Sequence, residues 1–379
     1  MSYLLSIIIP TKNRYQYLQE CLLSLRKLDP RRVEIIVQDN SDDTSSFKDF
    51  LNNLEAPNIR YYHQDGFLSQ TDNSDLAVSH ASGEYCCFIG DDDSVSSLIL
   101  PVVELLKTEN IPACVCDVAT FYWPDVVFEG AKRAPLSFNK TKPYIINLRS
   151  EKVLKEVLSY GIQDIKYLAR VYHGIISRNV LSSVKELCGS YFPGPSPDMA
   201  NAVSCTSIIP SYYYVHLPLI ISGYSYKSAG GMGLRGAHKG SLKVSEQLPT
   251  NVEDGWDEKI PKLWLGYTMW PQSGLSALQA IGTANLEKMN YNAMYAKIYL
   301  RYPEYRDDVR SFCKTFGSKL LLLKEIIRFG IRWTKERLSL KIRMLNKTQY
   351  INRNQMSLIQ AKDIVDTCYD SLDLNNLKE

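Results

Sequence analysis

Over the first 120 residues, short apolar runs alternate with stretches in which apolar side chains recur at helical spacing. Residues 4–9 form a β-rich run ended by Pro10-Thr11, and residues 17–28 follow with Leu18, Leu22 and Leu25 on one helical face. Residues 33–37 and 59–62 are the next strand-like runs, the first followed by a polar turn and helix cap at residues 39–44. A helix is expected over 73–81, a strand over 85–89, a helix over 98–106 and a strand over 113–118. Such runs have the length and content of strands buried on both faces. Their alternation with helices predicts an α/β fold: a mostly parallel sheet with right-handed crossovers, flanked by helices.

The polar clusters sit where that architecture binds ligands. Pro10-Thr11, Asp39 and the run Asp91-Asp92-Asp93 each follow a strand, so all three fall on one edge of the sheet. Three adjacent carboxylates are costly to bury without partners. At a strand end they suit a hard divalent cation, with a ligand phosphate completing its coordination. The plainer alternative is an acidic surface turn in which Ser94 caps the next helix. No Gly-x-Gly-x-x-Gly follows the first strand and no Gly-Lys-Ser/Thr loop occurs, which disfavours dinucleotide and P-loop folds.

Composition narrows the class further. In 379 residues, 45% are hydrophobic and 22% charged, the balance of a globular protein. No apolar window reaches membrane-spanning length, and the N-terminus lacks the basic start of a secretory signal. The nine cysteines have no metal-type spacing and read as small buried hydrophobes in a reducing cytosol. A net charge of +3 says little on its own, and no nucleic-acid partner is expected.

Three segments carry a family resemblance: Ser6-Ile-Ile-Ile-Pro-Thr-Lys-Asn-Arg14, Ile35-Ile-Val-Gln-Asp-Asn-Ser-Asp-Asp43, and Ala81-Ser-Gly-Glu-Tyr85 through Gly90-Asp-Asp-Asp93. In this order and spacing they resemble family 2 glycosyltransferases with the GT-A fold. The resemblance implies a nucleotide-sugar donor held by Pro10, Thr11, Asn13, Asp39, Asn73 and Asp91, with Asp39 on the base. It implies a Mn²⁺ or Mg²⁺ cofactor on Asp91, Asp92 and Asp93. One departure stands out: where the family often has Asp-x-Asp-Asp, Gly90 replaces the first Asp. That shifts the ribose or metal contact to Asp91 and makes Asp92 the direct ligand.

Beyond residue 120 the signals thin. Residues 143–148 read as an edge strand, and residues 172–176 with 179–187 as strand, turn and helix, His173 being a packed or capping histidine. Pro197-Asp198 starts a helix with a carboxylate at its mouth. Locally Asp198 is a cap or a base; the resemblance, which places an Asp base at such a helix start in inverting members, favours the base. Residues 218–240 hold six glycines with Lys227, Arg235, His238 and Lys239, and read as a lid whose Lys227 and Arg235 meet the donor diphosphate, or else as a linker. From about residue 244 the chain turns helical, with Trp256, Trp264 and Trp270 expected in its core. Residues 317–347 carry nine Lys/Arg against Glu325 and Glu336, with apolar residues at helical spacing. That amphipathic basic helix (318–347) suits an anionic membrane surface, or else packs on the body. The tail after Gln360 is acidic and expected to be loosely ordered.

The expected organisation is a GT-A catalytic domain at 1–243, donor-binding over 1–120 and acceptor-side over 121–243, then a helical region at 244–379. The expected activity is inverting, metal-dependent transfer from a UDP-sugar to a saccharide or lipid-linked saccharide acceptor in surface polysaccharide (O-antigen or capsule) assembly. Location would be cytoplasmic, peripheral on the inner membrane face. Two rivals keep the fold: a sugar-phosphate nucleotidylyltransferase, which needs a glycine-rich loop after strand one that is absent, and a non-catalytic carbohydrate-binding protein.

Overall fold

A computed structural model describes residues 3–126, 134–140, 142–228, 239–242, 248, 251–344, 348–351, 355–370, 372, 374 and 377, with side chains in the long helix described to residue 335. The first half alternates as expected. β1 (Leu5–Thr11), β2 (Val33–Asp39), β3 (Ile59–His63) and β4 (Tyr85–Phe88) are separated by α1 (Tyr15–Leu25), α2 (Ser45–Asn52) and α3 (Gln70–Ser79). A two-residue β5 (Ser94–Val95), α4 (Ile99–Thr108) and β6 (Ala113–Tyr122) follow.

β3, β2, β1 and β4 lie side by side, all parallel. Side chains alternate between two buried faces. Leu5, Ile7, Ile9, Ile35 and Val37 join the core under α1 and α4. Ile8, Ile36, Cys86 and Phe88 join the opposite core with Ala77 and Val78 of α3. β1 runs through Pro10-Thr11 rather than stopping before them. The Thr11 carbonyl accepts from Asn40 on the β2 side and the Ile8 carbonyl accepts from Ile89 on the β4 side. Pro10 therefore turns its missing N–H toward β4, which has already ended, so no ladder bond is lost.

Past β4 the sheet becomes mixed. β9 (Gly174–Ser177) runs antiparallel between β4 and the first half of β6. β7 (Leu136–Asn139) pairs with the far end of β6, and β11 (Thr348–Ile351) pairs with β7. Along its other edge β6 meets the parallel β10 (Ser211–Tyr224), which β8 (Ile145–Arg149) and β5 border antiparallel. Ser94 thus belongs to a strand and caps no helix. β10 also corrects the reading of 218–240 as one loop, because residues 218–224 are its buried second half. Arg235 and His238 lie outside the described residues.

The remaining helices are α5 (Ser150–Ser159), α6 (Arg178–Cys188), α7 (Pro197–Ile208), α8 (Gly266–Ile281), α9 (Tyr291–Arg301), α10 (Arg306–Phe312), α11 (Phe316–Met344) and α12 (Leu358–Thr367). Met199, Ala202 and Val203 of α7 and Leu154 and Leu158 of α5 share one core with Trp256, Leu278, Met294 and Phe329. This core takes side chains from both the 1–243 and the 244–379 segments. The expectation of a loose tail is overturned. Leu358, Ala361 and Val365 of α12, with Tyr369, Leu374 and Leu377, are buried in the main core against α1 and β10. All nine cysteines are free, as the spacing suggested.

Candidate active site

The carboxyl ends of β1 and β4 open into a cavity of about 1760 Å³, the place where parallel α/β sheets bind ligands. Its wall includes Pro10 to Arg14 from the loop after β1, Asn73 from α3, Gly90 to Asp92 from the loop after β4, and His173 before β9. Pro197 and Asp198 of α7, Gly223 and Tyr224 of β10, Lys227, Trp264 and Trp270 complete it.

The three aspartates do not converge. Asp91 accepts from Thr11 Oγ1 at 2.7 Å and pairs with Arg14 Nη2 at 2.8 Å. Asp92 pairs with the same Nη2 at 2.9 Å and accepts from the Ser225 amide at 3.2 Å and its hydroxyl. Asp93 turns away. It accepts from the amides of Gly90 and Gly223, both at 2.7 Å, and its Oδ2 lies 2.7 Å from His173 Nε2. His173 is therefore the anchor of Asp93 rather than a generic packed side chain. It holds φ 56°, a conformation an L-residue adopts only when its surroundings fix it. Burial drives the Asp91 carboxyl up to about 7 against the pull of Arg14, and drives Asp92 upward as well.

The glycines here are space requirements. A Cβ on Gly223 would lie 1.8 Å from the Asp92 carbonyl oxygen, and one on Gly90 would lie 3.0 Å from Asp92 Oδ1 and 3.1 Å from Asp93 Oδ2. A side chain at position 90 would therefore require the Asp92 and Asp93 carboxylates to shift by a few tenths of an ångström. The residues present do not fit the expected three-carboxylate metal site. Among the described residues no group of three or more His, Cys, Asp or Glu is arranged to hold a metal ion.

Asp39, expected on the base, is held by the protein's own groups. Its Oδ2 accepts from Tyr15 and Tyr61 hydroxyls at 2.6 and 2.7 Å, and its Oδ1 from the Ser41 amide at 2.8 Å. It has no exposed surface and does not line the cavity, and three of its roughly four acceptor positions are taken by the protein. Asn13 lines the cavity but also latches two loops, donating to Asp42 at 2.8 Å from its side chain and to Ser41 Oγ from its amide. Asn73 fits better as a ligand contact: its Oδ1 is buried without a partner beside the cavity.

Asp198 sits second in α7, behind Pro197, with Ser196 as N-cap. Its Oδ1 takes both the Ser196 hydroxyl and the Met199 amide, leaving Oδ2 clear of these two bonds. Lys227 lines the cavity. Sequence reasoning missed Arg14, Ser225 and the anchoring role of His173. Arg14 stood inside the quoted first segment and was the one available signal.

The structure is thus an α/β protein in which a parallel block carries an acidic loop at its strand ends, and the Asp198 carboxylate at a helix start lines the same cleft. Residues 6–173 match the family model "Glycosyl transferase family 2". The chain is 36% identical over 98 residues to the GalNAc(5)-diNAcBac-PP-undecaprenol beta-1,3-glucosyltransferase of Campylobacter jejuni, 24% of this chain and 31% of that protein. It is 32% identical over 119 residues to abequosyltransferase RfbV of Salmonella typhimurium, 30% of this chain and 35% of that protein. The matches thus span about a third of the length of these relatives. Among solved structures, S. aureus TarS 1–349 in complex with UDP-GlcNAc aligns over 97% of this chain and 91% of its own, at 13% identity and TM-score 0.46.

Proposed function

We propose that the chain is an inverting glycosyltransferase that moves a sugar from a nucleoside-diphosphate donor, UDP-linked, to a hydroxyl of a saccharide or lipid-linked saccharide. Its pathway would be assembly of a bacterial surface polysaccharide, in keeping with the polyprenyl-linked substrate in the name of the Campylobacter relative. The observation that carries this reading is that one cavity holds the Asp91/Asp92 loop and the Asp198 carboxylate together. The donor would lie along Pro10, Thr11 and the free Asn73 Oδ1, its diphosphate facing Arg14 and Lys227. Asp198 Oδ2 would take the proton of the acceptor hydroxyl as it attacks the anomeric carbon. The transition state then carries oxocarbenium character, and the departing diphosphate is met by fixed cations. A divalent cation would reach Asp91 and Asp92 only after Arg14 had left them. A location at a membrane face is supported by α11, whose described outer face exposes Leu320, Leu323, Ile327 and Ile331 beside Lys324.

The test compares Asp198→Asn and Asp198→Ala with the parent in kcat, UDP affinity and melting temperature. The Asn variant should lose kcat by roughly 10²–10⁴-fold, the usual worth of a positioned acid–base group. Its UDP affinity and melting temperature should stay close to normal. An active Asn variant would remove Asp198 as base, and failure of every UDP-sugar to raise the melting temperature would remove the donor assignment.

A further inference from the structure

We infer that Arg14 takes the place of the metal: its guanidinium is the resident cation of the Asp91–Asp92 pair, and the chain binds its donor diphosphate without a divalent ion. This rests on the transferase reading above for the identity of the ligand, but not for the identity of the cation.

The position of the charge carries the inference. A single nitrogen, Arg14 Nη2, stands 2.8 Å from Asp91 Oδ1, 2.9 Å from Asp92 Oδ2 and 2.9 Å from Ser225 Oγ. A divalent ion shared by those carboxylates would need to sit about 2.0–2.6 Å from the same oxygens, and so in the same space. The third carboxylate is not available to enlarge the site, because His173 and the amides of Gly90 and Gly223 hold it elsewhere. Nor does Gly90 supply a ligand.

Arg14 is also built in rather than draped over the surface. Its side chain is 15% exposed, against 6% and 7% for its two partners. The guanidinium carbon lies 5.0 Å from the centre of the Tyr17 ring, and Tyr17 is itself tied by its hydroxyl to Asp125. Arg14 is the residue that precedes α1, so the cation is fixed to the same loop as Pro10 and Thr11. Pairs this deeply withdrawn from water are retained only when charge and hydrogen bonding are both met. Yet Arg14 Nε is buried and has no acceptor. Arginine keeps its charge at any working pH and offers a planar fork suited to phosphate. A diphosphate oxygen entering the cavity that Arg14 lines would supply the missing acceptor, and Lys12 and Lys227 on the same wall would balance its remaining charge.

The experiment uses the full chain after exhaustive treatment with EDTA. UDP is titrated calorimetrically in EDTA and in excess Mn²⁺, and free Mn²⁺ is counted by electron paramagnetic resonance without nucleotide. We expect UDP affinities that agree within about threefold, roughly 0.65 kcal/mol, and no stoichiometric Mn²⁺ site. Arg14→Gln should weaken UDP in EDTA by about 10–100-fold, the range for losing one charged hydrogen bond. It should also create a Mn²⁺ site whose occupancy raises the melting temperature, while Arg14→Lys, which keeps a cation, should gain no such site. One bound Mn²⁺ on the parent protein, with UDP affinity falling more than about tenfold in EDTA, would overturn the inference even if Arg14→Gln does not fold. Absence of UDP binding under both conditions would sink the donor reading instead, and the nucleotide-free Mn²⁺ count would still decide the role of Arg14.

Discussion

At the scale of single residues, the partners of a carboxylate decide its work. Asp39 sits at the position the family resemblance assigns to the base, yet two phenols and an amide occupy three of its roughly four acceptor positions and it is fully buried. Asp39→Asn is therefore expected to lower stability by about 1–3 kcal/mol while leaving the UDP dissociation constant nearly unchanged, read by urea denaturation and calorimetry. A base-reading Asp39 predicts the reverse. The same cluster sets a pH dependence. Burial, with the bond to Asp39 next, pushes Tyr15 up to about 12, and Tyr61 is raised for the same reasons. A phenol whose folded pKa exceeds its unfolded value adds stability that is fully present below the ordinary pKa of 10 and is lost as pH rises toward 12. Urea midpoints should fall across that window, and Asp39→Asn should flatten the part of the fall that comes from these two phenols.

At the scale of elements, the end of the chain behaves as core. α12 brings Lys362, 1% exposed, onto Asp366 and 2.8 Å from Ser97 Oγ. Asp366 in turn accepts from Ser96 Oγ at 2.6 Å and from the Ser97 amide and hydroxyl, just ahead of α4. Lys362→Met leaves that buried carboxylate without its cation, and breaking such a pair costs about 3–5 kcal/mol. Urea denaturation should show it. A loose tail would show almost no change. The acidic composition after Gln360 concealed this because the apolar residues are few and spaced for a single buried face. α7 illustrates the opposite case: Pro197-Asp198 announces its own start, and the helix begins there.

At the scale of the molecule, α11 has two faces with different duties. Leu322, Glu325 and Phe329 turn inward, and Arg328 and Arg332 lie over the Tyr160 ring, Arg328 donating to the Ser159 carbonyl at 3.0 Å and Arg332 pairing with Asp164. Those two arginines are engaged with the body of the protein rather than with an outer surface. Leu320, Leu323, Ile327 and Ile331, each about half exposed, with Lys324 and Lys335 also exposed, form the surface that remains. Co-sedimentation with anionic vesicles should be weakened by salt and lost in Leu323→Glu/Ile327→Glu, whereas Arg328→Glu should chiefly lower the melting temperature. No binding at low salt would leave α11 as a wall of the helical core. Among the described residues no helix is long and apolar enough to cross a membrane.

The sequence by itself determined the alternating order of β1 to β4 and β6, the edge of the sheet on which the cavity opens, and several of the polar residues gathered there. Those follow from local rules: apolar runs of strand length bury both faces, and parallel connectivity sends every βα loop to the same side. Only the tertiary structure decided what each polar group does once there. Asp93 is spent on Gly223 and His173, Asp92 on Ser225, and Asp91 and Asp92 on Arg14, across separations of 77 to 133 positions for which no local pattern codes. A buried charge takes whichever partner the fold brings within hydrogen-bond reach, so its role is fixed by packing between distant segments rather than by its own neighbours in the chain.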